Sequence, residues 1–221
     1  MQLKHFIRRA GLRLRQFTDS ERIAVGDPFR QIFVDARAVT FFQQPLRPED
    51  CDRAAPLHAG RFCRKRAVGL VLGGAWSSKV SPYRPDRGLL YEALQARYHG
   101  GADWRDTRFI EMVEQDIREG KPAWNKCRTI EDVKRRCEQA DRLIDSIKRH
   151  GFIITDQPIR VNIGPEGQLI KNGNGRHRIA LGLITGAKIP VQVLVRHRDW
   201  EAIRRRAAMG GRHPDHPDLL S

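Results

Sequence analysis

The segment Asn172-Gly173-Asn174-Gly175-Arg176-His177-Arg178 gathers residue types that bind anions. Gln168 to Lys171 reads as a short strand, Asn172 to Gly175 as a tight turn, and Arg176 to Ile184 as a helix. The first amides of such a helix have no partners inside it, and the positive end of the helix dipole adds to their pull on an anion. Glycine removes the Cβ atoms that hold a phosphate away from the backbone. Side chains on a helix lean toward its N-terminus, so Arg178 is spaced to reach back with a forked, charge-assisted contact, flanked by Arg176 and His177. Phosphate binding by Asn174, Gly175, Arg176, His177 and Arg178 is the chemistry this spacing predicts. The plainer alternatives are a hairpin turn at Asn172-Gly173 and a solvated basic face. A cationic first turn nevertheless opposes the helix dipole unless an anion is present.

The flanking segments Leu143–Ile153, Gln157–Asn162, Gln168–Ala187 and Ile189–Leu194 set this turn in an ordered series. A helix carries Ser146-Ile147 ahead of Gly151, a strand begins Gln157-Pro158-Ile159, a second strand enters Gly175-Arg-His-Arg178, and a helix leads to a strand with Pro190-Val191. In this order the segments resemble the core of the ParB/sulfiredoxin-like superfamily, over about residues 130–197. The resemblance implies a small mixed sheet with helices and a Gly-x-x-Arg turn that binds nucleotide phosphates, with ATP or CTP and Mg²⁺ as the implied ligands. It implies kinase-like phosphotransfer or nucleotide hydrolysis as the reactions to consider. Sulfiredoxins carry a cysteine just after the glycine, where this chain has Arg176, so reduction of cysteine sulfinic acid is not expected. Free serine kinases of the superfamily have an aspartate before the glycine, where this chain has Asn174.

If the ligand is turned over, the arginines would stabilise charge on the transferring phosphoryl group and Mg²⁺ would bridge its oxygens. Glu166 and Asp156 are the nearby carboxylates to offer as base, and His177 titrates near neutral pH. The residues leave open whether the chain is an enzyme. His197 either faces the same crevice or caps a helix starting near Asp199. Cys51, Cys63, Cys127 and Cys137 lack Cys-x-x-Cys spacing, so reduced thiols are expected, and no metal site is predicted.

The net charge of +15 over 221 residues makes nucleic acid the competing partner: a basic, non-enzymatic DNA- or RNA-binding module would grip a backbone phosphate with the same turn. Only 7% of residues are aromatic and no run of them interleaves the basic blocks, which argues against a stacking platform for single strands. Met1 to Phe17 reads as a basic amphipathic helix, with Leu3, Ile7, Ala10, Leu14 and Phe17 on one stripe. It is suited to docking on its own domain or to peripheral contact with an anionic membrane. It lacks the continuous apolar segment of a signal peptide, and the longest apolar run, Ala67–Trp76, is too short to span a bilayer, so a cytoplasmic protein is expected.

The elements that must position the turn give an α+β fold. Residues 1–17 form the basic helix, and 18–128 an α+β region packed on the core, rich in helices with a few strands. The resemblance implies a ParB/sulfiredoxin-like domain over residues 129–209, and 210–221 is expected to be a disordered Gly/Pro-rich tail. Within 18–128 the pattern predicts a strand at Ile32–Val34, a strand over Arg66–Trp76, and helices over Leu89–Tyr98 and Thr107–Glu119. Thr129 caps a helix running to His150-Gly151, and Gly164-Pro-Glu-Gly167 turns Ile163 back into Gln168 as a hairpin.

Overall fold

Runs of β-branched and aromatic residues set the strands of this chain, and apolar spacing near 3.6 sets its helices. The computed structural model describes residues 22–64, 66–124 and 126–219; the expected helix over 1–17 lies outside the described residues. The described chain is α+β, with five α-helices and a mixed sheet. Its contacts form two compact units. One holds residues up to Tyr83, Ile154–Gly175 and the chain from Pro190; the other holds Arg84–Ile153 and Arg176–Ile189. This differs from the contiguous segments expected, because strands of one sheet come from three separated stretches of chain.

The sheet unit contains β1 (Gln31–Val34), β2 (Val39–Gln43), β3 (Leu57–His58), β4 (Arg61–Phe62), β5 (Leu70–Leu72), β6 (Val80–Pro82), β7 (Ile159–Ile163), β8 (Leu169–Lys171) and β9 (Ile189–His197). The main sheet runs β1-β9-β7-β8-β2-β6, with β5 also paired to β9, while β3 and β4 form a separate two-stranded piece. β7 and β8 are the expected antiparallel hairpin, closed by Gly164 N–H donating to the Gln168 carbonyl at 3.0 Å. β8 lies parallel to β2, and β9 parallel to both β7 and β5. Because β9 is covered on both faces, eight of its nine residues are buried, which explains its near-continuous apolar run. The core beneath this sheet gathers Trp76, Phe62, Leu72, Ile170 and Leu194, with the Phe62 and Trp76 rings edge to face at 5.4 Å. Trp76 is thus the packing anchor of the Gly73-Gly74 turn.

β9 hands over to the helix Arg198–Ala208, whose first turn is capped by the His197 ring accepting from Asp199 N at 3.3 Å. Past that helix the structure corrects the expectation of a disordered tail. Asp218 is 3% exposed and accepts from Arg196 Nε at 2.9 Å, Arg196 Nη2 at 2.6 Å and Trp200 Nε1 at 3.0 Å, with Arg204 Nε 3.0 Å away. His216 joins it, its Nε2 3.1 Å from the Gly167 carbonyl and its ring 4.6 Å from Trp200. Burying a carboxylate is tolerable only with such partners. Composition marks 210–215 as polar and Gly/Pro-rich, but it cannot show that two arginines await the carboxylate beyond.

The helical unit contains α2 (Leu89–Tyr98), α3 (Arg108–Arg118), α4 (Ile130–His150) and α5 (Arg176–Thr185). α4 starts where the sequence predicts, at a capping box: Asp132 N–H donates to Thr129 Oγ1 and Thr129 N–H to Asp132 Oδ2, both at 3.1 Å. Its apolar stripe of Val133, Ile144 and Ile147 packs into a core with Leu94, Val113, Leu181 and Ile184. Asp141 ties the unit together, accepting from Tyr98 Oη at 2.5 Å, Trp104 Nε1 at 3.0 Å and Arg97 Nη2 at 3.1 Å. Among the described residues no helix is long and apolar enough to cross a membrane.

Candidate functional site

The sheet unit fixes the turn from below through a row of buried amides. Gln43 closes β2, Asn162 lies in β7, and Asn172 follows β8; all three are buried. Gln43 Nε2 donates to the Trp76 and Lys79 carbonyls at 3.0 and 2.9 Å, and Asn162 Nδ2 donates to Gln43 Oε1 at 3.0 Å. Asn172 Nδ2 reaches the Phe62 carbonyl at 3.3 Å, and its backbone N–H donates to the Arg160 carbonyl at 2.9 Å. An unpaired buried amide costs about 1–3 kcal/mol, so this row holds the chain leaving β8 in one register. Lys171, 5% exposed, sits at the same end of the sheet. Its Nζ donates to the Gly173 carbonyl and lies 4.7 Å from the Phe42 ring centroid and 5.1 Å from that of Tyr83.

Gly175 then takes φ +120°, a conformation that L side chains rarely adopt. A Cβ there would stand 3.0 Å from Ile159 Cγ1 and Cγ2, so the glycine is required by space as well as by backbone angle. Asn174 is exposed, and Gly173 is buried with φ +98°. The predicted strand and turn are therefore in place, with β8 one residue shorter than expected.

In the helical unit, α5 opens at Arg176 and has no acidic residue in its first turn. Arg176 is exposed, whereas His177 and Arg178 are half-buried. Burial lowers the His177 imidazole below its ordinary value, and the charges of Arg176 and Arg136 push it in the same direction, so the ring is neutral at pH 7. Burial also lowers the Arg178 guanidinium, which stays protonated. His177 borders a groove of about 150 Å³ within this unit, together with Leu94, Trp124, Arg136 and Leu181.

The two candidate carboxylates part company. Asp156 precedes β7 and is exposed; since Arg160 of β7 adjoins Asn172, it lies toward the turn's end of the sheet. Glu166 sits in the β7–β8 hairpin, beyond the far end of β8 by at least that strand's length, about 10 Å. There it accepts from Gln168 Nε2 at 3.2 Å, a local structural contact. His197 is likewise not in the turn's crevice. From Gln192, opposite Arg160, it is five residues farther along β9, about 17 Å at the usual strand rise. Of its two expected roles the helix cap is the one it plays. Among the described residues no group of three or more His, Cys, Asp or Glu is arranged to hold a metal ion. With Glu166 remote, Asp156 is the one of the two candidate carboxylates that lies toward the turn's end of the sheet.

Sequence reasoning missed Lys171, Asn162, Gln43 and Arg136. The first three share a signal: each is a polar residue in a mostly apolar strand run, Leu-Ile-Lys, Ile-Arg-Val-Asn-Ile and Val-Thr-Phe-Phe-Gln. Arg136 carries none, being one arginine among many on α4. Compared with known proteins, the chain matches no family model, no curated protein and no solved structure.

Proposed function

We propose that this chain binds a nucleotide or another phosphorylated ligand at the Asn174–Arg178 turn, in a domain of ParB/sulfiredoxin-like type. One observation carries the reading: Gly175, at φ +120°, feeds a helix whose first turn holds arginine and histidine and no acid. That arrangement reverses the usual charge preference of a helix N-terminus, and a phosphate would supply the missing negative charge. The half-buried Arg178 supports it, since a partly desolvated guanidinium interacts more strongly with an anion than one in open water. Phosphotransfer or nucleotide hydrolysis would be an extension of this binding, with Asp156 rather than Glu166 toward the turn's end of the sheet.

The test is thermal unfolding with ATP or CTP and Mg²⁺. A ligand at a hundred times its Kd stabilises by about 2.7 kcal/mol, which raises Tm by roughly 5–10 °C for a protein of this size. Arg178→Gln and Arg176→Ala are expected to remove the shift, with near-UV circular dichroism confirming that each variant is folded. Indifference to every nucleotide would overturn the reading. The net charge of +15 favours a second one, a nucleic-acid-binding module. Binding to DNA or RNA that weakens steeply with salt, without any nucleotide shift, would select it.

A further inference from the structure

The groove in the helical unit has a composition that selects its occupant. Leu94, Trp124 and Leu181 give it apolar walls, and Leu143 of α4, 46% exposed, forms part of its border. Its polar lining is Arg136, Gln139 and His177, and no described lining residue is acidic. Gln139 Oε1 accepts from Arg136 Nη1 at 2.7 Å, which steadies the guanidinium with one of its five donors. His177 contributes a neutral ring, so the formal charge at the groove belongs to Arg136. A volume near 150 Å³ with apolar walls admits a single aromatic ring, as a cavity of that size admits benzene. A planar guanidinium matches the two oxygens of a carboxylate.

We propose that this groove is a binding site for a small aromatic carboxylate, its ring seated against Leu94, Trp124 and Leu181 and its acid group at Arg136. The inference goes beyond the phosphate turn and does not depend on it: ring and acid are both met by side chains around the groove. Charge complementarity sets the sign of the ligand, and the walls set its apolar body.

Benzoate, benzyl alcohol and benzylamine, titrated into the full chain and followed by ligand-observed NMR, separate the two contributions. Benzoate is expected to bind about tenfold more tightly than benzyl alcohol, the worth of one charge-assisted contact at a half-buried site, and benzylamine more weakly than either. Arg136→Gln is expected to abolish the preference for benzoate while benzyl alcohol binding persists. Leu143→Glu, on a half-exposed residue whose change leaves the core intact, is expected to weaken benzoate most and benzylamine least. Equal binding of the three, persistence of the benzoate preference in Arg136→Gln, or no binding of benzoate at millimolar concentration would each overturn the proposal.

Discussion

Replacing Asp218 by alanine tests whether the ordered tail is structural. The carboxylate is 3% exposed, and the Arg196 side chain beside it 7%. Alanine would leave Arg196 buried opposite nothing, with Trp200 and Arg204 each short of an acceptor. Removing one partner of such a pair costs about 3–5 kcal/mol, because the remaining charge keeps its desolvation penalty. For a protein of this length each kcal/mol moves Tm by roughly 2–4 °C, so a drop of about 6–20 °C is expected by differential scanning calorimetry. The double variant Arg196→Met/Asp218→Leu, which removes both charges, is expected to recover much of that loss. Burial alone would raise the Asp218 carboxyl, but the charge and hydrogen bonds of Arg196, with Arg204 and Trp200, hold it below the ordinary value. The folded-state value thus lies under the unfolded one, near 3.9. The contribution is complete above about pH 4 and is lost as pH falls through the folded-state value. Wild type and Asp218→Asn should therefore converge in Tm as the solution is acidified. A Tm drop under about 3 °C for Asp218→Ala at pH 7 would refute the argument, since about 1 kcal/mol is too little for a buried ion pair.

Gly175→Ala places a Cβ 3.0 Å from Ile159 and forces φ +120° on an alanine, so a loss of about 1–3 kcal/mol is expected in chemical denaturation, together with loss of any nucleotide-induced shift. Asp141 gives the helical unit its own acid sensitivity. Burial raises its carboxyl, but hydrogen bonds from Tyr98, Arg97 and Trp104 outweigh that and lower it, so its stabilisation is present above about pH 4 and lost below. Asp141→Asn should flatten the acid limb of a Tm-against-pH curve followed by near-UV circular dichroism, where Trp104 reports.

What the sequence displays is what is decided locally. Thr129, Asp132 and Gly151 mark both ends of α4 because caps and stops act within one turn of the helix. The β7–β8 hairpin is legible for the same reason, its turn being four consecutive residues. β2 is not legible within residues 18–60, since its value as a strand comes from β8 and β6, which lie elsewhere in the chain. The turn itself was readable as strand, glycine and helix, but its support was not: Gln43 and Asn162 meet across 119 positions of sequence. Nearness in sequence to Gly175 offers Glu166 as a neighbour of the turn, but it says nothing about which end of β8 a residue occupies. Asp218 was obscured by the polar composition around it, which resembles an unstructured tail until Arg196 and Arg204 are brought to it in space.

The placement of β9 has a temporal implication. It pairs with β1, β7 and β5, yet it is made after all of them. A nascent chain leaving the ribosome would hold β7 and β5 with a vacant edge, exposed to any other extended polypeptide, until Ile189–His197 emerges. Synthesis pausing between Lys171 and Ile189 would prolong that interval, and the unsealed sheet would be the natural target of a chaperone.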